Sequence, residues 1–151
     1  MVGDFPDFAV DRLSGRLYAV WADGRFSGGA ATGIALSVSA DGGLSWSAPV
    51  KINQTPTNIP AGNQQAFLPS VAVAADGTVG VTYFDFRNNT PAPGLPTDYW
   101  FVHADPGSNP SDPASWRQEL RLTGTSFDLE TGPLGPEGYF LVRQRTLTWI
   151  S

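Results

Sequence analysis

The sequence has no cysteine, a single histidine (His103) and few charged residues. Without cysteine, a disulfide scaffold, a cysteine zinc site and thiol catalysis are all excluded. Charged residues make up 15% of the chain and the formal net charge is −5, which argues against a nucleic-acid surface or an anionic-membrane surface. No apolar run reaches the length that a membrane-spanning helix needs. We therefore expect no nucleic-acid partner and no membrane span.

A sustained helical period is also missing, whereas short apolar runs and turn residues are common. The chain contains 17 glycines and 13 prolines, and its 41% hydrophobic content is too high for a disordered chain. In the first third, runs rich in Val, Leu, Ile, Tyr and Trp predict four short strands at about 7–11, 16–22, 33–39 and 45–52. The sequence therefore predicts an all-β fold.

One eight-residue stretch, 39–46, carries the most specific pattern in the chain. Its defined positions are Ser39, Asp41, Gly43, Ser45 and Trp46. The carboxylate of Asp41 can accept backbone N–H groups in a tight turn where glycine takes positive φ, and the two serines can tie the strand ends together. Trp46 is predicted to bury its ring against the next layer. The same residues are also compatible with an ordinary β-hairpin.

This stretch resembles the Asp box, which is the signature of the sialidase superfamily, a family of β-propellers. Segments 5–53 and 68–123 also align with each other, most clearly 15–25 with 77–87 and Ser45-Trp46 with Ser115-Trp116. The period is about 60 to 70 residues, and two aligned copies indicate a repeat architecture. The second copy lacks a proper Asp box.

The resemblance implies a six-bladed propeller, of which this chain holds about two four-stranded blades and the start of a third. The predicted divisions are a blade with the Asp box at 1–53, a connection at 54–67, a second blade at 68–123, and the start of a third blade with an atypical tail at 124–151. Six blades would need about 360 residues, so we expect either missing blades of a parent chain or self-association, for example of three copies. A β-sandwich is the competing all-β architecture.

A repeated motif, Trp21-x-Asp23-x-Arg25 and Tyr83-x-Asp85-x-Arg87, lies at the predicted loop end of the blades, away from the Asp box. In sialidases, arginines bind the substrate carboxylate and an acidic residue serves as acid/base. The resemblance therefore makes Arg25 and Arg87 candidate substrate-binding residues and Asp23 and Asp85 weak catalytic candidates. The alternative is a structural Asp–Arg pair that pins each loop, because catalysis needs different residues from different blades.

The remaining candidates carry weaker signals. The Arg-Ile-Pro motif of many sialidases is absent, and no tyrosine–glutamate nucleophile pair follows from spacing, although Glu137 and Tyr139 are close in sequence. A Ser-His-Asp catalytic triad would rest on His103 alone. The aspartates lack the spacing of a calcium-binding loop. Neither a metal nor a cofactor is expected. Six further positions could line a sugar cleft or simply belong to loops and core: Asn63, Gln64, Gln65, Tyr99, Trp100 and Phe101. Asn88 begins a formal glycosylation sequon.

Two functions follow as expectations from the resemblance. The first is a glycoside hydrolase of exo-sialidase type, which would act on terminal sialic acids or related glycans. The second is a non-catalytic Asp-box propeller that binds a glycan or a protein. We expect this chain alone to be inactive, because a site assembled from several blades cannot form from two. The resemblance implies a secreted or cell-surface bacterial protein, although this chain shows no signal peptide.

Overall fold

The computed structural model describes residues 5–135 and 138–139, and it is all-β with short 3₁₀ turns between strands. Glu137 and the tail at 142–151 lie outside the described residues. The strands, in chain order, are β1 (Asp7–Val10), β2 (Leu17–Asp23), β3 (Gly33–Ser39), β4 (Val50–Lys51), β5 (Ala66–Val73), β6 (Val79–Asp85), β7 (Pro96–Ala104), β8 (Leu120–Arg121), β9 (Phe127–Asp128), β10 (Leu134–Gly135) and β11 (Gly138–Tyr139). The 3₁₀ turns are Arg25–Ser27, Ala61–Gln64, Pro113–Ser115 and Leu129–Thr131.

The strands form two main antiparallel sheets with the same simple order. The first sheet has the order β1-β2-β3-β4, and the second has β5-β6-β7-β8 with β9 also paired to β7. Strands β10 and β11 form a separate two-stranded sheet. In both main sheets each strand pairs with the next along the chain, because short connections favour neighbouring antiparallel strands.

The first three predicted strands agree with the structure to within a residue, but the fourth is much shorter than predicted. Only Val50–Lys51 forms β4, whereas 45–52 was predicted. Pro49 precedes it and has no N–H to donate to a ladder. Before that proline, Ser47 still donates its backbone N–H to the Val38 carbonyl at 2.8 Å, so the chain runs beside β3 without forming regular strand.

The pairing registers of the two sheets match at the positions that align in sequence. Phe8 pairs with Ala19 in the first sheet, and the aligned residues Val71 and Val81 pair in the second. Likewise Ala35 pairs with Lys51, and Trp100 pairs with Arg121. The two sheets therefore repeat one backbone pattern, and the aligned strand residues of one have defined counterparts in the other.

The core lies between the two sheets. One face of the first sheet packs on one face of the second, since buried apolar side chains from both belong to a single cluster. The first sheet and the segment after it contribute Tyr18, Val20, Ile34, Leu36 and Ile52, and the second contributes Ala66, Val71, Val79, Val81, Tyr83, Val102, Ala104 and Trp116. Each sheet thus has an inner face in this core and an outer face turned away from it.

The prediction that Trp46 is buried against another layer is wrong for this chain. Trp46 is 40% exposed, and its ring meets Phe8 edge-on with 6.5 Å between centroids. Its counterpart Trp116 is only 7% exposed and donates its indole N–H to the Pro110 carbonyl at 3.0 Å. The reason is position: Trp116 lies on the inner face of the second sheet, whereas Trp46 lies on the outer face of the first.

Candidate functional site

The antiparallel order places the loops at two opposite ends of the sheets. The turn end holds the β1–β2 and β3–β4 turns. The loop end holds the β2–β3 loop at 24–32, the β4–β5 connection at 52–65 and the β6–β7 loop at 86–95. Long loops on a rigid scaffold are the usual place for binding. The candidate site therefore lies at the loop end.

At the turn end, Asp41 organises the turn between β3 and β4. Its carboxylate accepts the backbone N–H of Ser45 at 2.9 Å and the hydroxyl of Ser39 at 2.8 Å. Gly42 and Gly43 have φ of 74° and 94°, which only glycine adopts freely. Hydrogen bonds from the Ser45 hydroxyl, the Ser45 backbone and the Ser39 hydroxyl lower the pKa of Asp41 to about 2. These contacts are local and hold the turn closed.

At the loop end of the first sheet, Asp23 is surrounded by donors. It accepts the Trp21 indole N–H at 2.7 Å, the Arg25 backbone N–H at 2.8 Å and the Arg25 Nε–H at 2.7 Å. Burial raises the pKa of Asp23, but the hydrogen bonds from Arg25 and Trp21 outweigh it and keep the pKa below its ordinary value. The Arg25 side chain is 54% exposed and its guanidinium lies 5.9 Å from the Trp21 ring centroid.

At the same position of the second sheet, the buried Asp85 and the mostly buried Arg87 belong to a larger group that we call the Arg87 cluster. Asp85 accepts the Arg87 Nε–H at 2.7 Å, the Trp100 indole N–H at 2.9 Å and the Thr55 hydroxyl at 2.7 Å. The Arg87 side chain is only 11% exposed, and its Cζ lies 3.6 Å from the Trp100 ring centroid. The cluster comprises Gln54, Thr55, Tyr83, Asp85, Arg87, Trp100 and Glu119.

Glu119 joins this cluster to the end of the first sheet. Its carboxylate contacts the Arg87 guanidinium and the Tyr83 hydroxyl, and it accepts the Gln54 backbone N–H at 3.2 Å. Burial first, and the Glu119 charge second, raise the pKa of Tyr83. Burial lowers the pKa of Arg87, but its contacts with Glu119 and Asp85 raise it overall. The phenol and the guanidinium therefore both stay protonated near neutral pH.

The contact between Tyr83 and Glu119 was not predicted from the sequence. The two residues are 36 positions apart, and in the repeat alignment Glu119 falls opposite Pro49, so no local or repeated signal marks it. A tyrosine nucleophile must touch its substrate, but Tyr83 has no exposed surface in this structure. The arrangement instead supplies charge-assisted hydrogen bonds within the second sheet, and Glu119 extends them to the Gln54 backbone N–H after the first sheet.

A second buried carboxylate, Asp98, also escaped the sequence analysis. It lies directly opposite Asp85 in the pairing of β6 with β7 and accepts hydrogen bonds from four side chains. These donors are Asn88 at 2.7 Å, Arg121 at 2.7 Å, Thr123 at 2.6 Å and Ser126 at 2.9 Å. Burial raises the pKa of Asp98, but its donors lower it overall. Because the Asn88 amide nitrogen is engaged here, it is poorly placed to accept a glycan.

The other predicted positions do not converge on one cleft. Trp100 belongs to the Arg87 cluster, whereas the Tyr99 ring stacks on Phe84 of the outer face with 4.4 Å between centroids. Amide groups of the β4–β5 connection hold neighbouring loops, as when the Asn63 amide donates to the Asn89 carbonyl at 2.9 Å. His103 stacks on Phe101 and lies 3.5 Å from Asp105. In the described part of the chain, no group of three or more acidic or histidine side chains is placed to hold a metal ion.

Comparison with known proteins supports the fold. No protein-family model matches the sequence, and no curated protein matches it. Among solved structures, the chain is similar to "Hadza microbial sialidase Hz136", with a TM-score of 0.59 and 15% sequence identity over 79% of this chain. The chain spans about a quarter of the length of that sialidase, since the match covers 25% of it. The chain therefore has a sialidase-like all-β fold. No helix in the described ranges is long and apolar enough to cross a membrane.

Proposed function

We propose that this chain forms two consecutive blades and the start of a third in a six-bladed sialidase-like propeller, whose complete form hydrolyses or binds terminal sialic acids or related glycans. The observation that carries the proposal is the pair of antiparallel sheets with matching registers, packed face to face, in a fold similar to a sialidase. Since one fold hosts many functions, the glycan assignment needs its own test. In this proposal the protein is secreted or cell-surface bacterial.

Within the proposed site, Arg25 is the better candidate for binding a substrate carboxylate. Its Nε–H is held by Asp23, which fixes the plane of the guanidinium, while more than half of the side chain is exposed. A guanidinium held in this way presents paired donors to an incoming carboxylate. The lowered pKa of Asp23 keeps that residue ionised near neutral pH, so we assign it a positioning role and not that of a proton donor.

Asp85 and Arg87 fit a different role in the same proposal. Asp85 is fully buried and the Arg87 side chain is mostly buried, and the Arg87 donors are taken up by Asp85 and Glu119. A residue saturated by internal partners has little left for a ligand. We therefore propose that this pair locks the two sheets together and that only its exposed counterpart, Arg25, meets a glycan.

The second candidate function is a non-catalytic binding module, and the burial of the candidate catalytic groups favours it. Hydrolysis needs an acid/base and a nucleophile, whereas the candidate Asp85 and the Tyr83–Glu119 pair are buried in internal contacts. One exposed arginine is sufficient for weak carboxylate binding but not for catalysis. For this chain alone we expect binding without turnover.

Saturation-transfer NMR with sialyllactose tests the binding, and a fluorogenic sialoside tests the hydrolysis. We expect binding by the chain to be lost in Arg25→Ala and kept in Arg12→Ala, a matched control because Arg12 is an exposed arginine at the turn end. Hydrolysis is expected only from a complete propeller that contains this segment. Turnover by the purified chain would contradict the assigned roles, and absence of both binding and hydrolysis would overturn the glycan proposal.

A further inference from the structure

The outer face of the first sheet exposes large apolar side chains. We call it the first flank, and it consists of Phe8, Val10, Trp21 and Trp46. Phe8 is 61% exposed, and Val10 and Trp46 are exposed beside it. Contiguous exposed apolar patches on a folded chain usually mark an interaction surface. What covers this face can be inferred from the repeat.

The counterparts of the first flank are already covered in the second sheet. Phe8 corresponds to Val71, which is 6% exposed, and Trp46 corresponds to Trp116. These counterparts lie in the core, where the inner face of the first sheet packs on them. The same backbone positions are therefore exposed in one repeat and covered by a β-sheet in the next.

The outer face of the second sheet carries the matching half of that interface. We call it the second flank, and its exposed members are Leu120 and Leu122. Their counterparts in the first sheet are Val50 and Ile52, which pack in or against the core. The second sheet thus presents on its outside the positions that the first sheet uses on its inside.

We propose that the first flank binds the second flank of another copy of this chain, in a head-to-tail contact that repeats the packing between the two sheets of one chain. The contact is heterologous, since different faces of the two copies meet, so successive copies can close into a ring or extend. The proposed contact continues the interface inside the chain and is independent of the proposed glycan function.

Polar residues support the same register. Thr55, which follows the first sheet, donates to Asp85 of the second sheet at 2.7 Å. In the alignment that pairs Ile52 with Leu122, the counterpart of Thr55 is Thr125, which is exposed. Docking places Thr125 of one copy near Asp23 of the next. Thr125 would then repeat, across the contact between copies, the Thr55–Asp85 hydrogen bond found inside one chain.

The test uses one charged substitution on each flank, with mass measured by sedimentation velocity and folding checked by circular dichroism. The wild-type chain is expected to assemble with rising concentration, whereas Phe8→Glu and Leu122→Glu each remain monomeric. Their equimolar mixture is expected to form a discrete dimer of twice 16.1 kDa, because each variant retains the flank that the other has lost. Both substituted side chains are exposed, so the fold should tolerate them.

Leu44→Glu is the matched control, because Leu44 is an exposed leucine at the turn end, outside both flanks. It should assemble like the wild type. A wild-type chain that stays monomeric, a mixture of the flank variants that fails to pair, or equal disruption by Leu44→Glu would each overturn the head-to-tail contact. Loss of sialyllactose binding alone, with assembly intact, would count only against the glycan function.

Discussion

The two sheets share one backbone pattern, yet equivalent residues have opposite environments. Trp46 is 40% exposed and Trp116 is 7% exposed, while the Arg25 side chain is 54% exposed and that of Arg87 is 11% exposed. The strands next to them pair in the same registers. The difference comes from the neighbouring sheet, which covers the inner face of the second sheet and leaves the outer face of the first open. Burial in a repeat is thus a property of the contact between repeats.

The largest expected difference is between the two arginines. Arg87→Ala leaves Asp85 and Glu119 buried without their cation, and breaking a buried pair in this way costs about 3–5 kcal/mol of unfolding free energy. Arg25→Ala removes an exposed pair, which is worth less than about 1 kcal/mol. Urea unfolding of both variants measures the difference. Equal losses of unfolding free energy would show that the contact between the two sheets does not decide how much each Asp–Arg pair stabilises the fold.

The two tryptophans should differ by somewhat less. Trp116→Ala empties a core position and leaves the Pro110 carbonyl without its indole donor, so we expect a loss of about 3 kcal/mol. Trp46→Ala at the aligned position removes a partly exposed ring that packs on Phe8, and the loss of stability in a dilute sample should be clearly smaller. Thermal unfolding of both variants at low protein concentration measures the two losses of stability. A Trp46→Ala loss as large as that of Trp116→Ala would contradict it.

A smaller effect distinguishes the β3–β4 loop, which holds Asp41, from the equivalent β7–β8 loop, which holds Asp105. The pKa values of these two carboxylates should respond differently to mutation and to salt. The pKa of Asp41, about 2, is set by hydrogen bonds from uncharged groups, whereas that of Asp105 is lowered chiefly by hydrogen bonds from Arg117. Because the folded-state pKa of Asp41 is depressed, its stabilising effect is present above the unfolded value of about 3.9 and is lost as the pH falls through about 2.

Carboxyl ¹³C titration checks this prediction. Ser45→Ala should raise the pKa of Asp41 and Arg117→Ala should raise that of Asp105. Added salt should raise only the pKa of Asp105, because salt screens exposed charges and leaves hydrogen bonds from neutral groups nearly unchanged. A salt-sensitive Asp41 would mean that charge, and not the local turn, holds its pKa down.

The parts of this structure that the sequence predicted are those that local patterns encode. Three of the four strands in the first sheet and the donors around Asp41 depend on residues close together in the chain, and the repeat alignment matches the observed registers. The missed contacts are long-range. Glu119 reaches Gln54 across 65 positions, and no pattern of residue types marks such a pair. The burial of Trp46 was mispredicted for the same reason, since it depends on a neighbouring sheet.

Fluorine NMR of chain labelled with 5-fluorotryptophan tests the central claim most directly, namely that equivalent positions differ only because one has a neighbouring sheet. Trp46→Phe and Trp116→Phe assign the two resonances, and the H₂O-to-D₂O shift of each reports its exposure. We expect Trp46 to be solvent-exposed in dilute solution and to become protected as the concentration rises, whereas Trp116 is protected throughout. A Trp46 resonance as protected as Trp116 in the dilute monomer, or one that stays exposed in an assembled sample, would contradict it.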